Sequence, residues 1–194
     1  MTKSVLVAYA TNSGSTADVA QAVGKALGQD GAPVDVRRIK EVEHVDGYDA
    51  VVVGGPMILG WHREAVRFLK RHQKALSQVP VAYFMTALNL TATDETGVGD
   101  IPVYLDPRLA KPPRNPSKLS FKERYATVES YLAPALKKAP QIKPVSVAFF
   151  KGKLEYTKLN ILQSLFVMLV IGATPGDFRD WDAISSWAAT LPLS

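Results

Sequence analysis

The chain has 194 residues, a formal net charge of +5, 13 glycines, 13 prolines and no cysteine. That length suits one domain with its own core, and the lack of cysteine excludes a disulfide framework, a thiolate-held metal or cluster, and a cysteine nucleophile. A composition that is 47% hydrophobic and 21% charged excludes wholesale disorder.

The N-terminal stretch from Met1 carries one lysine, and its apolar run is too short and mixed for a secretory signal. It reads instead as a strand over Ser4–Tyr9, and a cytoplasmic location is expected. After the loop Thr11–Thr16, Val19, Val23 and Leu27 recur at helical spacing, and Gly28 or Gly31 closes that helix. Strands are expected at Val34–Ile39 and Ala50–Gly54; the second is apolar on every residue, as in a strand covered on both faces. The loop Gly54–His62 leads into a helix carrying Ala65, Val66, Leu69 and Leu76, and a fourth strand covers Val79–Met85. From Thr91 to Leu119 five prolines (Pro102, Pro107, Pro112, Pro113 and Pro116) give a long excursion read as largely irregular. Ser120 is placed to cap a helix running to Lys138, with Pro134 as a kink or early end. A fifth strand covers Val145–Phe150, and Asp180 opens a last helix bearing Trp181, Ile184, Trp187, Ala188 and Leu191. Strands alternating with helices predict one α/β domain with a parallel sheet covered on both faces, interrupted by insertions at 91–119 and 151–177.

The positive charge is concentrated. Arg108 to Lys158 holds twelve basic and three acidic residues, and the remainder is mildly acidic. No nucleic-acid motif accompanies the basic stretch. Lys151, Lys153 and Lys158 precede Leu159–Ile171, 13 residues of which 10 are apolar, whereas a membrane-spanning helix needs about 20. This segment is either a helix that lies against anionic lipid or a lipid-soluble ligand, or a buried helix or dimer face with solvated lysines.

In an open doubly wound sheet, ligands bind beyond the carboxyl ends of the strands, so three loops are candidates. Thr11, Asn12, Ser13, Gly14, Ser15 and Thr16 offer hydroxyls, a flexible glycine and the free amides of a helix start, a combination that suits a phosphate. They include no lysine and no Gly-x-Gly-x-x-Gly, which excludes Walker and dinucleotide loops and leaves a mononucleotide or an ordinary Ser/Thr-rich cap. Pro56, Met57, Ile58, Leu59, Gly60 and Trp61 offer apolar and aromatic cover for a planar ring, with Gly54 and Gly55 letting backbone approach it; alternatively, Leu59 and Trp61 cap the core. Thr86, Ala87, Leu88, Asn89, Leu90 and Thr91 offer backbone and amide groups to a ring's polar edge. His44, His62 and His72 are too scattered for a metal site. His62 is either a proton donor near such a ring or a structural histidine. Ser13 and Ser15 lack the Gly-x-Ser-x-Gly setting of a serine hydrolase.

On these residues the sequence resembles the flavodoxin-like family. Thr11–Thr16 is similar to that family's phosphate loop for flavin mononucleotide (FMN), and Gly54–Trp61 and Thr86–Thr91 fall where its ring-flanking loops fall. A nearer likeness, to the menaquinone-dependent protoporphyrinogen oxidase branch, rests on Tyr48–Gly55, Gly60–His72, Asn89–Leu90, the basic-then-apolar segment and the Asp180–Trp181 opening of the last helix. The resemblance implies strand order 2-1-3-4-5, non-covalent FMN, and an oxidoreductase linked to a quinone. An electron carrier docking on redox partner proteins, or a flavin-free interaction module, are the other functions open to this fold. Peripheral membrane contact through 151–171 and a homodimer are the associations expected.

Overall fold

The computed structural model describes residues 3–57, 60–92, 98–154 and 175–193. Its centre is a six-stranded, wholly parallel sheet formed by β1 (Val5–Tyr9), β2 (Val34–Arg38), β3 (Ala50–Pro56), β4 (Val81–Ala87), β6 (Val103–Leu105) and β8 (Ser146–Lys151). The order across the sheet is β2-β1-β3-β4-β8-β6. β1, β3, β4 and β8 are flanked by strands on both sides, and nearly every residue in them is buried, so their runs of Val, Ala and Phe have no polar alternation. The first five strands follow the expected 2-1-3-4-5 order, with β8 as the fifth.

The described residues of the excursion are largely irregular, as expected, but they place β6 as a sixth strand on the outer edge of β8, with Val103 opposite Val147 and Leu105 opposite Phe149. The excursion also contains β7 (Ala110–Lys111), which pairs with β5 (Leu90–Thr91). Asp106 fixes this edge. Its carboxylate is 1% exposed and accepts hydrogen bonds from the Arg108 N–H at 2.9 Å and the Lys151 N–H at 3.2 Å, with the Arg108 guanidinium alongside. Asp106→Asn keeps the shape but exchanges one acceptor oxygen for a donor, so we expect a loss of about 1–2 kcal/mol. Urea denaturation checks this; an unchanged midpoint would contradict the assigned role.

The helices lie on two sides. α1 (Ser15–Leu27) and the final helix α5 (Trp181–Ala189) pack together on one face, where Val19, Val23, Ile184 and Trp187 join Phe84 and Phe150. α2 (Arg63–Leu76) and α4 (Val128–Lys138) cover the other through Ala65, Phe68, Leu69 and Leu132. The helix expected from Ser120 to Lys138 is two helices. α3 (Phe121–Tyr125) ends at Ala126, and Thr127 caps α4 by accepting from the Ser130 N–H at 3.1 Å. The break is therefore at this new cap, and Pro134 lies inside α4.

Ser120 caps α3 as expected, in a reciprocal box with Glu123. Bonded to the Ser120 side chain and to the N–H groups of Arg114 and Ser120, the Glu123 carboxyl is held down to about 2, below its ordinary 4.5. A depressed carboxyl stabilises the fold fully above its unfolded value and loses that contribution as pH falls through its folded one. Amide exchange at Arg114 and Ser120 should therefore be pH-independent above about 5, after intrinsic-rate correction, and lose protection between about 4.5 and 2. Protection already falling at neutral pH would contradict this.

Candidate functional site

β2 and β3 leave β1 on opposite sides, so the loops following β1 and β3 diverge over a crevice at their carboxyl ends. The loop after β1 is folded for an anion. The Gly14 N–H donates to Thr11 Oγ1 at 2.9 Å, and Gly14 has φ +94°, a conformation that opens helix α1 and that a side chain would strain. A Cβ on Gly14 would meet nothing within 4 Å, so open space adjoins this turn. Of the five described α-helices, α1 alone has no side chain capping its N-terminus. The amides of Ser15 and Thr16 begin the helix, where no intrahelical acceptor exists. The Ser13 and Ser15 side chains are half-buried, and Asn12 is exposed.

Other candidate residues are already engaged. Thr16 is 1% exposed, and its hydroxyl lies 3.1 Å from that of Thr86, itself 6% exposed. This bond ties the first loop to the third beneath the surface. Asn12 Oδ1 lies 2.9 Å from His62 Nε2, while His62 Nδ1 accepts from the Glu64 N–H at 3.3 Å. With Nδ1 the acceptor, Nε2 carries the proton and donates to Asn12. His62 thus caps α2 and ties the second loop to the first, and both of its ring nitrogens are occupied.

The second loop is more closed than its sequence suggests. Trp61 is buried, with its indole tilted against Tyr83 at 5.2 Å between ring centroids, and Met57 beside it is also in the core. Burial pushes the Tyr83 phenol far up. The two glycines expected to admit a ligand instead make room for protein rings. A Cβ on Gly54 would lie 1.9 Å from the Phe84 ring, and one on Gly55 would lie 2.9 Å from Trp61 Nε1. Trp61 Nε1 is buried with no hydrogen-bond partner among the described residues. Pro56 and Gly60 remain half-buried, and Ile58 and Leu59 lie outside the described residues.

In the third loop, Leu88 and Asn89 are half-buried at the crevice, while Ala87 accepts from the Gly152 N–H and is in the core. Leu90 and Thr91 are buried in the small β5–β7 pair, with the Thr91 N–H donating to the Ala126 carbonyl at 2.7 Å. They anchor the excursion. The candidate residues left at least partly exposed at this edge of the sheet are Thr11 to Ser15, Pro56, Gly60, Leu88 and Asn89.

One residue that sequence reasoning missed joins this edge. Arg179, between α5 and β10 (Gly176–Asp177), which pairs with β9 (Lys153–Leu154), has a side chain only 5% exposed. It donates to the Ser15 carbonyl at 3.2 Å and to Asp18 at 2.8 Å, and its other edge grips Asp177. These bonds hold the Asp177 carboxyl below its ordinary range and raise the guanidinium further. No local pattern marks this arginine, because two of its partners lie more than 160 residues earlier. The Leu159–Ile171 segment, expected to lie against lipid or a lipid-soluble ligand or to form a buried or dimer face, lies outside the described residues. Among the described residues there is no metal-binding cluster, and no helix is long and apolar enough to cross a membrane.

A family model for the flavodoxin domain matches residues 6–179. Among solved structures, the chain is similar to a short-chain flavodoxin associated with a PDU bacterial microcompartment, with TM-score 0.53 and 16% identity over 98% of this chain and 97% of that one. It is also similar to oxidised flavodoxin 2 from Bacillus cereus, with TM-score 0.51 and 16% identity over 95% and 94% of the two chains. A third likeness, to rubredoxin oxygen:oxidoreductase from Desulfovibrio gigas, has TM-score 0.53 and 13% identity over 97% of this chain, which spans 35% of that larger protein. At such identities these structures show the fold. No curated protein matches the sequence. FMN is the cofactor of the flavodoxin type of domain, and the uncapped start of α1 beside an open, hydroxyl-rich turn fits its phosphate. With the family match running from β1 to the threshold of α5, the chain belongs to the flavodoxin domain family.

Proposed function

We propose that the chain binds FMN non-covalently across this crevice and works as a redox protein, an electron carrier or an oxidoreductase. The observation that carries the reading is the N-terminus of α1, which no side chain caps and where the Gly14 turn, between Ser13 and Ser15, adjoins open space. Bound there, FMN would supply one- and two-electron chemistry. The chain's own residues hold and shield it: Thr11 to Ser15 take the phosphate, and Pro56, Gly60, Leu88 and Asn89 flank the ring. Thr16 with Thr86 beneath the surface, and His62 with Asn12 at it, hold the three loops together. The visible spectrum of the purified chain, with and without added FMN, tests this; a colourless protein that takes up no FMN would defeat it.

For the finer function we favour an oxidoreductase similar to menaquinone-dependent protoporphyrinogen oxidase, moving two electrons and two protons per step from substrate to quinone. Its support is the sequence likeness at Tyr48–Gly55 and Gly60–His72 and the basic balance of 108–158. Flavin-dependent turnover of protoporphyrinogen with a menaquinone analogue is the test. A carrier that docks on a partner protein is the second reading, favoured by one surface feature. α3 exposes Phe121 (73%) and Tyr125 (60%), their rings tilted against each other at 4.6 Å between centroids, in a stretch that also exposes Lys111, Arg114, Lys118 and Arg124. This patch joins the third loop through the Thr91–Ala126 bond. Absence of turnover, with FMN bound, would leave the carrier ahead.

A further inference from the structure

Phosphate loops that rely on neutral donors are sensitive to any uncompensated carboxylate nearby, and this one has Asp18 in the first turn of α1. In an isolated helix that placement is favourable, because the carboxylate faces the positive end of the dipole. It becomes unfavourable when a phosphate must occupy the same end, since the two negative charges then compete for the same amides. The chain supplies a counter-charge from far along its sequence. Arg179 reaches α1 with one terminal nitrogen, Nη1, shared between Asp18 Oδ2 at 2.8 Å and the Ser15 carbonyl at 3.2 Å. Its Nε donates to Asp177 Oδ1 at 2.8 Å and its Nη2 to Asp177 Oδ2, which fixes the guanidinium as a fork. The Trp181 ring covers the guanidinium face at 4.4 Å. The arginine is therefore held by β10 and α5 and aimed at the first turn of α1.

We propose that Arg179 is a positioning residue for the cofactor phosphate: it partly offsets the charge of Asp18, sharing its own between Asp18 and Asp177, and fixes the Ser15 peptide, so that the start of α1 can accept a dianion. The inference rests on the FMN reading above and adds to it which residues make the phosphate site permissive. It ties phosphate affinity to the seating of the segment around Asp177, because the same guanidinium holds both.

The test is a titration of apo full-length chain with FMN and, separately, with riboflavin, which lacks the phosphate. Arg179→Gln should weaken FMN about five- to tenfold while changing riboflavin less than about twofold, the modest size reflecting an Asp18 that is itself largely solvated. Adding Asp18→Asn to that variant should recover most of the loss, and the loss should shrink as salt rises. Asp18→Asn alone, which does not depend on Arg179→Gln folding, should alter the FMN-to-riboflavin preference less than about twofold, because the charge it removes is already partly offset by Arg179 and largely solvated. The proposal is overturned if Arg179→Gln weakens both ligands equally, or leaves FMN unchanged, or if Asp18→Asn alone tightens FMN several-fold. Wild-type chain that binds neither ligand would instead defeat the FMN reading itself.

Discussion

Gly54→Ala should lower the thermal midpoint by roughly 6–12 °C, corresponding to about 3 kcal/mol. Gly54 sits directly opposite Phe84 in the β3–β4 ladder, and the far end of the Phe84 ring lies where a methyl would go, with Cζ 1.9 Å from that position. Phe84 is fully buried and packed against Phe150, whose own ring meets Trp187 of α5, so it has nowhere to swing. Adding one carbon forces a shift through a chain of three aromatic rings to α5. The backbone is not the obstacle, because Gly54 is not among the glycines with positive φ. In a strand, replacing Gly by Ala ordinarily stabilises by relieving unfolded-state entropy, so the expected sign is opposite to the default. A midpoint within about 2 °C of wild type would show that the ring can move and that Gly54 was not selected by packing.

Ser15→Asp should weaken FMN binding by about 100-fold, with riboflavin affected less than about threefold. Ser15 is the first residue of α1, beside the Gly14 turn. A carboxylate there occupies the place proposed for the phosphate and takes up the same amides. The substitution also separates binding from stability, since an acidic residue in the first helical turn complements the dipole and should leave the apo-protein as stable as wild type or slightly more so. Differential scanning calorimetry of the apo form, together with flavin fluorescence titrations, reads both effects. Equal losses for FMN and riboflavin, or no loss for either, would move the phosphate away from α1.

Much of the frame is legible in the chain because it is written locally. The runs at Val5, Ala50, Val81 and Ser146 are apolar on every residue or nearly so, and a strand buried on both faces requires that, whereas the edge strand at Val34 is apolar only at Val34 and Val36. Asp180 and Ser120 mark helix starts by residue type alone, and the structure has both as caps. β6 was not legible. Val103-Tyr-Leu is three residues between Pro102 and Asp106-Pro107, and only pairing with β8 and the burial of Asp106 make it a strand. The division between α3 and α4 carried a readable signal, Thr127 three residues before Ser130, which the apolar pattern running through it obscured.

The site divides along the same line. The Thr11–Ser15 turn is visible because its donors are consecutive in sequence. Trp61 reads as cover for a planar ligand or as a cap on the core, and it lies in the core, where Gly55 leaves room for the indole. Thr16 and Thr86 look like donors to a ligand, and they are spent on each other across 70 residues. Arg179 gave no local sign at all, since its meaning depends on α5 lying against α1.

Titrating the apo chain with FMN and with riboflavin, followed by quenching of flavin fluorescence, addresses the account at its centre. The expected result is saturable binding of one FMN per chain, tighter than riboflavin by at least about tenfold, as phosphate capture at a helix start requires. FMN binding no tighter than riboflavin, or no binding of either, would contradict it.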